Sequence, residues 1–154
     1  MYRFNLQVVL NYRKRIEEGL QMELSRTQRE LESAKQVFFA YQREKGYYEE
    51  ELAKREARQV NIDESILYRD YLKGMNKKIK AQKESVAQAK IAVDKKQEEL
   101  LIATKKRKVL EKVREKDREA FMDSLERKER IFADEMGVRR YHKGVKSTFD
   151  SYSS

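Results

Sequence analysis

Seam-forming residues recur alternately four and three positions apart in the first third of the chain, at Leu20, Leu24, Thr27, Leu31, Ala34, Phe38, Tyr41, Lys45, Tyr48 and Leu52. That spacing keeps one helix face turned toward a partner helix, the a/d repeat of a coiled coil. Upstream the register runs through Leu6, Leu10, Arg13 and Glu17, with Val9 and Ile16 beside the polar positions. The pattern predicts a first helix over about residues 5–58, with Gly19 and Gly46 tolerated inside it at about 1 kcal/mol each.

The repeat breaks at Val60-Asn61-Ile62-Asp63-Glu64-Ser65. Asn, Asp and Ser bond nearby backbone N–H groups and so favour turns and N-caps. A turn at about 59–64 is expected, with Asn61 or Asp63 capping a second helix over about 65–136. The seam resumes at Tyr68, Leu72, Met75, Ile79, Gln82, Val86, Ala89, Val93, Lys96, Leu100, Ala103, Arg107 and Leu110. Beyond Leu110 the register gives Arg114, Asp117, Phe121, Ser124, Lys128 and Ile131, only partly apolar. Gly137 looks like a C-cap, and residues 139–154 are expected to form a frayed or disordered basic tail. The predicted fold class is therefore all-α: a long antiparallel two-helix coiled-coil hairpin over residues 1–138, with a longer second helix.

Composition supports long helices rather than a globular core. The 154 residues include no proline, no cysteine and five glycines, and 41% are charged. Turn chemistry every ten to fifteen residues would demand more Pro and Gly, while a sustained 3.5-residue repeat separates the chain from charge-rich disorder. No apolar run is long enough to span a membrane, and the N-terminus lacks a secretory signal pattern. Cytoplasmic residence is the expectation.

Charge distribution favours folding back over parallel pairing. Residues 17–51 carry nine acids and five bases, whereas residues 73–114 carry fourteen bases and five acids. A turn near Asn61 puts residue i opposite 122 − i, so Lys77, Lys78 and Lys80 would face the Glu44 region and Lys105–Lys108 would face Glu17 and Glu18. Such pairs are worth only about 0.2–1 kcal/mol each, but they select orientation. A monomer is expected when the protein is alone. The same mirror leaves about residues 117–136 without an intramolecular partner, an overhang of about 30 Å that still carries Phe121, Met122, Leu125, Ile131 and Phe132.

No constellation carries chemistry. His142 is the one histidine, with no cysteine nearby, and there is no phosphate-binding loop and no paired-histidine metal motif. No catalytic residue, metal or cofactor is expected, and the chain is read as a non-enzyme. The basic runs at 77–83 and 105–108 read as a solvated face balanced by acids, so no nucleic acid is expected. Aromatics gather near the break: Phe38, Tyr41, Tyr48 and Tyr68 fall on the seam, while Phe39, Tyr47 and Tyr71 fall off it. The latter suit a protein contact.

The combination Phe4-x-Leu6-Gln7-x-Val9-Leu10 followed by Arg13 and Glu17, Tyr41-Gln42-x-Glu44, and Tyr68-x-x-Tyr71-Leu72, together with the unequal arms, resembles the FliJ family of the flagellar type III export apparatus. The resemblance implies a stalk-like coiled coil that enters the export ATPase ring, contacts the export gate protein FlhA and escorts substrate chaperones. It implies a cytoplasmic protein associated peripherally with the inner membrane at the flagellar base. The gate contact in that family maps here onto Phe38, Tyr41, Tyr71 and Met75, to which the off-seam Phe39 and Tyr47 are added; Lys45 stands where an aromatic is expected. The terminal set Leu6, Val9, Leu10, Phe121, Leu125, Ile131 and Phe132 is assigned to the ATPase ring. A self-associating structural coiled coil, a substrate chaperone and a basic nucleic-acid-binding rod are the other readings.

Overall fold

Two helices account for the fold in a computed structural model that describes residues 1–58 and 61–151, with side chains through Thr148. Helix α1 spans Gln7–Ala57 and helix α2 spans Ile62–Ser151. Among the described residues there is no strand. The fold is all-α, an antiparallel helix pair whose second helix is the longer, 90 residues against 51.

Helix α1 ends at Ala57 and α2 begins at Ile62, three residues ahead of the expected start, and Gln59 and Val60 of the expected turn lie outside the described residues. Asn61 is the cap, since its Oδ1 accepts the Asp63 backbone N–H at 3.4 Å and its carbonyl accepts from Ser65. Asp63 instead sits in the first turn with Glu64, where their charges complement the positive end of the helix dipole. Lys54 and Arg55 do the converse in the last turn of α1.

The chain clusters into two units, Arg13–Lys105 and Met1–Tyr12 with Lys106–Ser154. In the first, antiparallel pairing is read from contacts across the seam. Gln82 donates to the Ala34 carbonyl at 2.9 Å, Lys96 Nζ lies 2.7 Å from a Glu23 oxygen, and Thr104 donates to Glu17 at 3.0 Å. These pairs centre just before Asn61, so Glu44 meets Tyr71 and not the expected lysines 77, 78 and 80, which are exposed. The buried positions follow the predicted register. Every α1 seam residue from Leu20 to Leu52 is half-buried, and Met75, Val93 and Ala103 are buried on α2.

In the second unit Leu10 is fully buried. Residues 1–6 precede α1 and are not helical, yet they continue along α2. Tyr2 donates to the Arg114 carbonyl and to Asp117, each at 3.1 Å, and its ring meets Phe121 at 5.5 Å. Non-helical chain advances farther per residue than helix, so a short segment covers α2 beyond residue 117, where the sequence mirror ends the pairing. Cover stops at Ser124; from Leu125 to Thr148 every side chain is exposed.

Helix α2 also runs through Gly137, the expected cap, and through most of the segment expected to be a frayed tail. No proline follows to stop it, and a helical glycine costs only about 1 kcal/mol. The seam register persists there, because Val138 and Val145 fall seven and fourteen positions after Ile131. That period is the signal in the sequence for a helix of this length.

Candidate partner-binding surfaces

Two surfaces carry the residues singled out from the sequence, one in each unit. In the unit Arg13–Lys105, Phe38 and Tyr41 are half-buried while Phe39, Tyr47 and Tyr71 are exposed. Met75 is 2% exposed. It packs the seam beneath this surface and does not present itself to a partner.

The aromatics are locked to one another. Tyr48 meets the rings of Tyr47 at 5.3 Å, Tyr71 at 4.5 Å and Tyr68 at 6.0 Å, while Phe38 and Phe39 meet edge-on at 5.8 Å. Tilted and edge-on contacts at these separations exploit the ring quadrupole. The Arg55 guanidinium lies 4.9 Å from the Tyr68 ring centre and 2.7 Å from a Glu64 oxygen. Arg69 pairs with Glu56 at 2.6 Å, which raises its pKa through that hydrogen bond. Tyr71 donates to the Glu44 carboxylate, and this bond, with desolvation added, pushes its pKa from 10.0 to about 12. The result is a preorganised patch whose exposed rings have little rotamer freedom to lose on binding.

Lys45, standing where the resemblance leads one to expect an aromatic, extends its ammonium to Glu49 at 3.6 Å. Its contribution to the patch is therefore ionic. Farther along the same unit, Lys96 bridges Glu23 and Glu99 at 2.7 and 3.0 Å, and these bonds raise its pKa.

In the other unit the terminal residues divide into core and surface. Leu10 is fully buried and Phe121 half-buried under Tyr2, so both serve packing. Leu6, Val9, Leu125, Ile131 and Phe132 are exposed. Desolvation, followed by the hydrogen bond to Asp117, raises the Tyr2 pKa and favours its neutral hydroxyl as donor. Sequence reasoning passed over Tyr2, whose role depends on the non-helical path of residues 1–6. It also passed over Val138, Tyr141 and Val145, exposed on the same helix as Ile131. Around Ile131 the helix surface forms a shallow groove with Asp134, Glu135, Val138 and Arg139.

Among the described residues there is no group of three or more potential metal ligands, and no helix is long and apolar enough to cross a membrane.

The profile of the flagellar FliJ protein family matches residues 2–146. A solved structure described as a YscO homologue, from Chlamydia trachomatis, is 23% identical, covers 93% of this chain and 98% of its own, and superposes with a TM-score of 0.49. No curated protein matches the sequence.

Proposed function

The chain belongs to the FliJ family and is a component of flagellar type III protein export; from this premise we propose that it is a non-enzymatic stalk and adaptor for the export ATPase. The exposed stretch of α2, with Leu125, Ile131 and Phe132, engages the ATPase ring together with Leu6 and Val9. The aromatic patch of Phe39, Tyr47 and Tyr71, seated on Phe38, Tyr41 and Met75, engages the export gate protein FlhA. Substrate chaperones are further partners. The protein works in the cytoplasm, held peripherally at the inner membrane beneath the flagellum.

The observation that carries this reading is the unbroken exposure of α2 from Leu125 to Thr148. Most helical stability in proteins comes from packing an apolar face, and the large apolar residues of this unpacked stretch suit a groove or ring lined by another protein. A coiled coil built only as a spacer would not retain them. The patch around Tyr48 supports a second contact, since rigid exposed aromatics are the common anchors of interfaces.

Two binding assays test the assignments separately. A chain ending at Ser124 should fail to co-purify with the export ATPase while still binding the gate protein. The variant Phe39→Ala, Tyr47→Ala, Tyr71→Ala should show the reverse. Retention of ATPase binding by the truncated chain would refute the first assignment, and intact gate binding by the triple variant would refute the second.

A further inference from the structure

The unit formed by Met1–Tyr12 and Lys106–Ser154 has two unlike flanks beside its seam. One flank is polar and partly satisfied from within: Gln7 donates to Asn11 at 2.9 Å, and Glu111 of that flank pairs with the seam residue Arg107 at 2.6 Å. The other flank is defined by the heptad positions beside and outside the seam, Val8, Val9 and Tyr12 on α1 and Lys106, Val109, Val113 and Lys116 on α2. Here Val9, Tyr12, Val109 and Val113 are 40%, 59%, 60% and 42% exposed. They are off the a/d register, so the seam makes no use of them.

We propose that this flank docks a third helix, an acidic amphipathic helix from another protein. The antiparallel register sets Val9 opposite the turn of α2 that contains Val113, so the apolar residues of the two helices border one groove. Their spacing along each helix repeats at helical intervals, the arrangement that receives the ridge of a third helix. Lys106 and Lys116 rim the groove, and no acid stands at these flank positions between residues 106 and 116, Glu119 and Asp123 following beyond them. A second copy of the chain would place lysines against lysines, which disfavours self-association here. A membrane surface is disfavoured as well, because four valines and one tyrosine offer none of the large aliphatic anchors that insert between lipids. Only Val9 is shared with the terminal set assigned to the ATPase ring.

The test uses the full chain and a dye-labelled helical peptide with leucines on one face bordered by glutamates, beside a counterpart bordered by lysines. By fluorescence anisotropy, the acidic peptide binds and the basic one does not. Val109→Asp with Val113→Asp weakens binding at least about tenfold, with helicity by circular dichroism unchanged. Lys106→Glu and Lys116→Glu together reverse the preference toward the basic peptide. Acidic-peptide binding that survives both sets of substitutions overturns the proposal, as does absence of binding. So would a dimer of the unmodified chain in sedimentation that the valine substitutions abolish, or sedimentation with anionic vesicles that they abolish while peptide binding persists. No ATPase enters the assay, so this proposal and the stalk assignment can fail independently.

Discussion

Tyr71 of α2 donates its hydroxyl proton to the carboxylate of Glu44 on α1, joining two residues that flank the seam in the unit Arg13–Lys105. The bond holds one of the exposed rings of the aromatic patch in place and leans it against Tyr48.

That bond makes a prediction about alkaline pH. The Tyr71 pKa is raised from 10.0 to about 12, chiefly by donation to Glu44. Above pH 10 the unfolded chain loses this proton while the folded chain keeps it, so stability falls as pH rises from 10 to about 12. Below pH 10 the contribution is complete. Tyrosinate absorbance should show, beside the raised Tyr2, a late-titrating hydroxyl that is missing in Tyr71→Phe. The variant's melting temperature should also fall less over that interval.

Buried and exposed members of the aromatic patch should separate cleanly in stability. Met75→Ala removes a nearly fully buried side chain and should cost about 2–5 kcal/mol. Phe39→Ala removes an exposed ring and should change stability by less than about 1 kcal/mol. Urea unfolding of the two variants checks this, and equal losses would mean that Phe39 belongs to the core.

Glu17 is a charged residue at a buried seam position, and Thr104 donates to it at 3.0 Å. Thr104→Val keeps the shape and deletes the donor. A hydrogen bond to a buried carboxylate contributes about 1.5–3 kcal/mol, so a loss of that order is expected in denaturant titration. Thr104→Ser should restore most of it.

Gly137 lies inside α2, and a methyl group added there would meet nothing within 4 Å. Gly137→Ala should therefore strengthen the exposed stretch by about 1 kcal/mol. Slower amide hydrogen exchange on both sides of residue 137, with the Tyr48 patch unchanged, is the expected readout.

Much of this architecture was legible from side-chain spacing. The positions from Leu20 to Leu52 and from Tyr68 to Leu110 are the ones the structure half-buries or buries, because a seam must repeat every 3.5 residues to stay against its partner. That register puts Met75 and Leu10 on the seam, where they are buried, although the one was assigned to the gate contact and the other to the ATPase ring. Tyr2 was not legible, since a segment outside the helix has no period to betray its path. The Glu44–Tyr71 bond escaped because charge counting pairs acids with lysines and overlooks a neutral donor. The helical course beyond Gly137 was hidden by a glycine and a serine-rich end, although Val138 and Val145 keep the Ile131 period.

The central claim is that exposed α2 acts on the export ATPase, and the most direct measurement is stimulation of ATP hydrolysis. The substitutions Leu125→Ala, Ile131→Ala and Phe132→Ala touch only exposed side chains, and alanine preserves the helix. The full chain should raise the turnover of the purified ATPase, and the triple variant, equally helical, should lose that effect. Undiminished stimulation by the triple variant would contradict the account.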